Sequence, residues 1–282
     1  MTELLNKLKV DPVTYVESLN SPIGVYLKEK VFQKIAGSED CLKKELYEKT
    51  VSLQSADGSW NQLFVQTANS LWDLSLMGYD LKDPHVKKGL DWLLSIQKYD
   101  YGGLSGWIFH SNNRKESRTM RSTFYGEFVP GCTGFYETTY ATHLFLAFGL
   151  GDIKPIKKTV KSYLQLWGDG NWVCGALCGS NVFRILVEHP LSRDTPQVEN
   201  GIKFLALQQT KNGSWVFHNQ TLPFYHIFHA LSRSKHTMAR QQIKNAFPKI
   251  LRYQNKDGSW GKSAQKKETL TFLTLDALKN IS

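Results

Sequence analysis

The sequence contains little cysteine and no long apolar run, and both absences narrow the classes of protein it can encode. Four cysteines in 282 residues do not suggest a disulfide framework. The longest apolar stretch, residues 144–150, is far shorter than the roughly 18 residues that span a bilayer. The first residues include acidic Glu3 and no apolar core of the signal-peptide type. We therefore expect a cytoplasmic protein, with peripheral attachment to the inner membrane face as an alternative.

The chain is basic, with a net charge of +10 from 35 basic and 25 acidic side chains. Many of the lysines lie on the predicted solvent-exposed faces of helices. This favours the interpretation that the positive charge only keeps the surface solvated. Attraction to an anion, such as a diphosphate, a phospholipid or an acidic peptide, is the alternative. Nucleic acid is not expected as a partner, because the basic residues are spread and no binding motif accompanies them.

Four short stretches of the chain are nearly the same. They read QSADGSW (residues 54–60), QLWGDGNW (165–172), QTKNGSW (209–215) and QNKDGSW (254–260), with a looser copy at residues 97–107. The spacing gives a unit of about 45 residues with one enlarged interval, which is typical of a repeat fold.

Each copy lies between two predicted helices. The stretch before it is amphipathic, as at Val86–Gln97, where Val86, Leu90 and Leu93 share one face and lysines lie opposite. The stretch after it is more apolar, as at residues 66–78, 137–149, 175–187 and 224–232. Asp-Gly or Asn-Gly ends the first helix. We expect the indole to pack against the preceding hairpin and the Gln amide to cap a helix end, which would fasten neighbouring hairpins.

These copies resemble the QW repeats of squalene–hopene cyclases and the related repeats of protein prenyltransferase β subunits. The resemblance covers roughly residues 45–278. It implies an all-α fold, a single α/α toroid of about five to six hairpins around an aromatic-lined hydrophobic cavity. Residues 1–44 are then a helical lead-in packed on the barrel, and residues 45–282 form the toroid, with an enlarged loop at 102–134. Any second barrel or helical subunit would be another chain.

The motifs that carry cyclase chemistry in this family are absent. The chain has neither the Asp-x-Asp-Asp acid motif nor the Asp-Asp-x-x-Asp metal motif. The nearest positional substitute for the protonating acid is Glu137, at the start of a second helix. Protonating an alkene requires a carboxylic acid that is held neutral. The alternative is that Glu137 stabilises the helix N-terminus through its charge.

The prenyltransferase branch implies a zinc site. Phe224-Tyr225-His226 resembles the run that carries that family's zinc histidine, but Pro223 replaces the preceding Asp. Cys174 and Cys178, with His226 and His229 as a further ligand, could bind zinc tetrahedrally. The cysteines are equally compatible with core packing. We favour no metal and no cofactor, with zinc as the alternative.

Further site candidates are polar or aromatic residues on otherwise apolar second helices, where an unpaired buried polar group is costly. Tyr140 and His226 join Glu137 as catalytic candidates. Candidates for the cavity and substrate binding are Gln66, Asn69, Trp72, His143, Asn181, Tyr225 and His229. Arg118 and Arg121, in the enlarged loop, could clamp a phosphate or simply be surface charges.

Three hypotheses about function follow. The first is a terpene-cyclase-like enzyme that acts on an isoprenoid or similar hydrophobic substrate, by an acid-initiated cyclisation or rearrangement. The second is a zinc-dependent prenyltransferase-like subunit with a partner chain. The third is a non-catalytic toroid that binds a lipid or peptide. We favour the first, because the apolar second helices retain many polar groups.

Overall fold

The computed structural model describes residues 4–33, 39–101, 104–106, 121–122, 126–127, 135–168, 176–217 and 220–281. Within these ranges the chain is mostly helical, and the strands form short antiparallel pairs. The pairs are β1 (Lys98–Tyr101) with β2 (Leu104–Gly106), β3 (Arg121–Ser122) with β4 (Gly126–Glu127), and β5 (Val216–Phe217) with β6 (Gln220–Thr221). The predicted all-α class is confirmed.

Short helices precede the repeats. A 3₁₀ turn (Leu5–Lys7) is followed by α1 (Val13–Glu17) and α2 (Pro22–Tyr26), which continues as a π-helical turn (Leu27–Val31). The helical hairpins then follow in order. They are α3 (Asp40–Val51) with α4 (Phe64–Leu76), α5 (Pro84–Ser95) with α6 (Phe135–Ala147), α7 (Lys154–Trp167) with α8 (Ala176–Glu188), α9 (Pro196–Gln208) with α10 (Phe224–Ser232), and α11 (Thr237–Tyr253) with α12 (Ala264–Asn280).

The two helices of a hairpin differ in burial, as the sequence predicts. In α5, Val86, Leu90 and Leu93 are buried while Lys87 is exposed. In contrast, every residue from 137 to 145 in α6 is buried, and so is every residue from 226 to 232 in α10. The second helices therefore supply a large part of the apolar core, and polar side chains on them are the candidates for a site.

The first copy of the repeated turn joins its hairpin to the next one along the chain. Gln54 and Trp60 form an antiparallel bridge across the turn. The Gln54 side-chain amide donates to the carbonyl oxygens of Gly58 and His85, both at 2.9 Å, and His85 begins the next hairpin. The Trp60 indole N–H donates to the Thr50 carbonyl of its own first helix at 2.7 Å. The predicted link between neighbouring hairpins is confirmed at this turn for the Gln amide. The prediction for the indole is wrong here, because Trp60 bonds within its own hairpin and packs against Gly89 of the next hairpin rather than on a preceding one.

The same turn recurs twice in the described C-terminal part of the chain. Gln209 bridges Trp215, and its amide donates to the Gln242 carbonyl in α11 at 2.8 Å. Gln254 bridges Trp260, and its amide donates to the Val10 carbonyl at 2.7 Å. The segment around Val10 thus takes the position that the next hairpin occupies at the earlier turns. The remaining predicted copy, at residues 165–172, lies partly outside the described residues.

The chain divides into two compact units, residues 16–159 and residues 1–15 with 160–282. The first unit contains α2 to α6, and the second contains α8 to α12. No helix in the described ranges is both long and apolar enough to cross a bilayer. The predicted division at residue 44 and the loop role of residues 102–134 stay predictions.

Candidate functional site

Glu137 lies in the first turn of α6, in the unit of residues 16–159. The residue is only 5% exposed, and its Oε2 has no hydrogen-bond partner among the described residues. Burial raises the pKa of the Glu137 carboxyl from 4.5 to about 7, so much of it is protonated at neutral pH. A helix N-terminus stabilises a carboxyl group only when that group is ionised. Helix stabilisation alone therefore accounts poorly for this environment.

The side chains that follow Glu137 along α6 contact α4 in the same unit. Tyr140 is fully buried, and its hydroxyl donates to Asn69 Oδ1 at 2.7 Å. The ring of His143, a further turn along, lies 5.7 Å from the ring of Trp72 between centroids, at an interplanar angle of 58°. The structure thus brings together four of the predicted site residues near the start and middle of α6.

A second group of buried polar side chains lies where α8, α10 and α12 pack together. His229 Nε2 lies 2.9 Å from Asp276 Oδ2, and His229 Nδ1 lies 3.3 Å from an Arg184 guanidinium nitrogen. With its proton on Nε2, His229 donates to Asp276 and accepts from Arg184. Arg233 donates to Asp276 Oδ2 at 2.5 Å. A hydrogen-bonded network therefore links three second helices of the unit formed by residues 1–15 and 160–282.

Both histidines of α10 are neutral. Burial lowers the pKa of His229 to about 4, although its hydrogen bond to Asp276 opposes the shift. Burial also lowers the pKa of His226 to about 3, and the positive charge of Arg184 adds to this effect. A neutral imidazole has one nitrogen that donates and one that accepts, so each ring can transfer or hold a proton.

His226 and Asn181 are both buried, and each has a polar atom without a hydrogen-bond partner among the described residues. His226 is 8% exposed and Asn181 is 1% exposed. Neither His226 Nδ1 nor Asn181 Oδ1 has a partner among the residues that the structure describes. Asn181 lies three residues before Arg184 on α8, and His226 lies three residues before His229 on α10. Arg184 and His229 both belong to the network. Since side chains three residues apart share a helix face, Asn181 and His226 lie on the faces that carry the network.

The remaining predicted site residues are less informative. Gln66 is partly exposed, and its Oε1 accepts from the Asn61 amide at 2.5 Å. Burial raises the pKa of the Tyr225 hydroxyl to about 12, so Tyr225 stays protonated. Four predicted groups lie outside the described residues, namely Arg118, Cys174 and the side chains of Arg121 and Cys178.

Sequence reasoning missed Arg184, Arg233 and Asp276. Two of them could have been found from the sequence. Arg184 interrupts the apolar run at residues 182–187, and Asp276 interrupts a run of apolar and threonine residues in α12. A charged residue in such a run requires a partner when the helix is buried. The partners themselves are distant in sequence.

No group of three or more His, Cys, Asp or Glu side chains suited to a metal ion occurs in the described ranges. The predicted zinc alternative depends on Cys174 and Cys178, whose side chains lie outside those ranges, together with His226. It stays a prediction.

Comparison with known proteins now adds to this geometry. Residues 171–276 match the family model of the squalene–hopene cyclase C-terminal domain. No curated protein matches the sequence. The structure is similar to that of a protein from Actinoplanes, which is 17% identical, with a TM-score of 0.61 over 92% of this chain and 89% of that chain.

The structure is also similar to the type II terpene cyclase MstE from Scytonema. A form solved with its substrate, geranylgeranyl dihydroxybenzoate, is 11% identical, with a TM-score of 0.59 over 93% of this chain and 86% of that chain. A form solved with its product, merosterolic acid A, is 10% identical, with a TM-score of 0.59 over 98% of this chain and 93% of that chain. The chain has a terpene-cyclase-like all-α fold, and the resemblance drawn from its repeats is confirmed.

Proposed function

We propose that the protein is a terpene-cyclase-like enzyme that acts on an isoprenoid or similarly hydrophobic substrate. In this proposal Glu137 donates a proton that starts a cyclisation or rearrangement. The observation that carries the proposal is the buried, largely protonated Glu137 carboxyl, whose Oε2 has no partner among the described residues, in a fold similar to that of the type II terpene cyclase MstE. The isoprenoid substrate class is supported by geranylgeranyl dihydroxybenzoate, the substrate of MstE.

The proposed first step uses the neutral form of Glu137. Its proton is transferred to the substrate, the accepting electron pair forms the new bond to hydrogen, and a carbocation remains on the substrate. A second alkene then attacks the cation, and transfer of a proton from an adjacent carbon to solvent or to the Glu137 carboxylate ends the sequence. A carboxyl with a pKa of about 7 suits proton transfer at neutral pH but is a weak acid. We therefore expect an accepting group that is more basic than an isolated alkene, such as an epoxide oxygen. In that case the proton goes to the oxygen, one C–O bond breaks, and the carbocation is left next to a new hydroxyl group.

Tyr140, Asn69 and Trp72 support this role from the same unit. The faces of aromatic rings attract cations through their quadrupoles, so Trp72 and Tyr140 are suited to stabilising a carbocation. The hydrogen bond from Tyr140 to Asn69 holds the phenol ring in place on α6. In this proposal Tyr140 stabilises charge, and Glu137 supplies the proton.

Protonation by a carboxylic acid requires no metal or organic cofactor, and we propose that the enzyme uses none. Elemental analysis tests this point. One zinc per chain, lost in Cys174→Ala or His226→Ala, would instead favour the prenyltransferase-like alternative and a partner subunit.

The decisive experiment is turnover of isoprenoid alkenes and epoxides in D₂O, with products examined by mass spectrometry. With an alkene substrate we expect the wild-type product to gain one carbon-bound deuterium, because the carboxyl proton exchanges with solvent. An epoxide would instead carry the deuterium on a hydroxyl group that exchanges again, so for epoxides the rate is the readout. Glu137→Gln should lower the rate on either substrate by about 100-fold or more, the usual contribution of a general acid. The exposed Glu48→Gln is the matched control and should act like wild type. Unchanged turnover in a folded Glu137→Gln variant, or a product of an alkene without carbon-bound deuterium, would contradict the proposal.

A further inference from the structure

We propose that Asn181 and His226 form a binding site for a neutral hydroxyl group, the polar end of an otherwise apolar ligand. The inference rests on the proposed function for the isoprenoid nature of that ligand. It concerns the helices α8 and α10 and does not use Glu137.

The contact between Arg184 and His229 fixes how α8 and α10 face each other. These two residues lie 3.3 Å apart, and both are fully buried. Both are second helices of successive hairpins and pack against each other, and we infer that they run in the same direction, as equivalent helices of stacked repeats do. Asn181 and His226, each three residues earlier, are therefore the next pair along the same two faces. The geometry places an amide and an imidazole on one helix interface.

Within the described part of the chain, Asn181 Oδ1 and His226 Nδ1 each lack a hydrogen-bond partner. An unsatisfied buried polar atom costs about 1–3 kcal/mol, and such atoms in a folded protein commonly mark a ligand or water position. Asn181 Oδ1 accepts, and a neutral imidazole offers one donor and one acceptor. A hydroxyl group complements this pair, since its hydrogen can be donated to one side chain while its oxygen accepts from the other.

The charged side chains near Asn181 and His226 limit which polar group of a ligand could bind between them. The Arg184 guanidinium disfavours any ammonium group at the interface. A diphosphate needs direct contact with several cations. Arg184 is instead fully buried against His229, Arg233 is bonded to Asp276, and His226 is neutral. A neutral hydroxyl fits the pair better than either charged group.

Isothermal titration calorimetry with farnesol, farnesyl methyl ether and farnesyl diphosphate tests the inference. We expect wild-type protein to bind farnesol about tenfold more tightly than the ether, which cannot donate a hydrogen bond. Asn181→Leu and His226→Phe keep the side-chain size and should abolish that difference. Thr274→Val, which removes a buried hydroxyl bonded to the Leu270 carbonyl of its own helix, is the matched control and should preserve it.

Equal affinity for the alcohol and the ether in the wild type would overturn the inference, as would a preference for the alcohol that survives both substitutions. Tightest binding of the diphosphate would also overturn it. A water molecule that bridges Asn181 and His226 in the farnesol complex would show that the site holds water only, against the proposal. If a variant fails to fold, ¹⁵N NMR of the wild-type protein replaces it, and we expect farnesol but not the ether to shift the His226 ring nitrogens.

Binding is measured without turnover, which separates this inference from the proposed function. Preferential binding of farnesol by a protein that cyclises no substrate would support the site and contradict the enzyme. Turnover by a protein that does not prefer the alcohol would support the enzyme activity and contradict the hydroxyl-binding site.

Discussion

Glu137 shows how a single residue can link stability to pH. Its pKa is about 7 in the folded protein and 4.5 as the reference value, so the folded state binds the proton more tightly than the unfolded state. The sign follows from linkage, since stability falls with rising pH wherever the folded state binds more protons. The stability is therefore highest below pH 4.5 as far as this group is concerned, falls between pH 4.5 and about 7, and stays low above that range.

Glu137→Gln removes this titration and keeps the size of the side chain. Above about pH 7 we expect the variant to be more stable than the wild type, by an amount on the order of 3 kcal/mol at most. Urea denaturation at about pH 5 and about pH 8 measures the change in the free energy of unfolding. Glu48→Gln on the exposed face of α3 is the control. An identical pH dependence in wild type and Glu137→Gln would contradict the buried, protonated state of Glu137.

Among the elements, the repeated turn depends on the close approach of a glycine to the next segment. Gly213 and Gly258 adopt φ values of 81° and 85°. A Cβ at Gly213 would lie 2.6 Å from the Asn245 carbonyl oxygen, and one at Gly258 would lie 2.7 Å from Pro12 Cα. The backbone at Pro12 therefore meets the last turn as closely as α11 meets the turn before it.

Gly258→Ala tests this approach, and Gly78→Ala is its matched control. Gly78 has the same φ of 85°, but a Cβ at this position would have nothing within 4 Å. We expect Gly78→Ala to cost about 1 kcal/mol, from the left-handed backbone alone. Gly258→Ala should cost at least about 2 kcal/mol more, because the methyl group displaces the segment at Pro12. Equal losses in thermal denaturation would contradict the tight packing of that segment.

The hairpins were largely predictable from the sequence, because their signals are local. The apolar spacing in Val86–Gln97 and the glycine after each first helix predicted α5 and α11 to within a few residues. The second helix at residues 224–232 matches α10 at both ends. The docking of Val10 onto Gln254 was not predictable, because no local pattern relates residues so far apart.

The candidate site was predictable only in part, for the same reason. Glu137 was identified by its position at the start of a second helix, and its neighbours by their polarity in an apolar stretch. The bond from His229 to Asp276 joins residues from different hairpins, and neither residue indicates the other in the sequence. Sequence patterns thus identified single side chains, whereas their pairing required the packing of α8, α10 and α12.

For the whole molecule, the buried histidines make the folded state less stable at low pH. This effect is opposite to that of Glu137, whose protonation at low pH stabilises the folded state. The folded-state pKa values of His226 and His229, about 3 and about 4, lie below the ordinary value of 6.5. The unfolded chain therefore binds more protons in this range, and stability is lost as the pH falls from 6.5 towards 4. Because Glu137 and the two histidines act in opposite directions, we expect the free energy of unfolding to be highest at about pH 6 to 7.

His226→Phe should reduce the sensitivity to acid. Between about pH 6.5 and pH 4 we expect each histidine to lower the stability of the wild type by on the order of 3 kcal/mol, and the variant to lack the share of His226. Thermal or urea unfolding across this range gives the slope. Thr274→Val should keep the wild-type slope. An unchanged slope in His226→Phe would show that His226 titrates alike in the folded and unfolded states.

The bond between Gln254 and Val10 also fixes an order of events during synthesis. Residues 9–12 leave the ribosome well before their docking partner, the turn at residues 254–260, since Val10 and Gln254 are 244 residues apart. Local hairpins can form as they emerge, whereas this long-range contact waits for all the hairpins between its two partners. The segment at residues 9–12 must therefore stay without this partner, and open to proteases or chaperones, until residues 254–260 have been made.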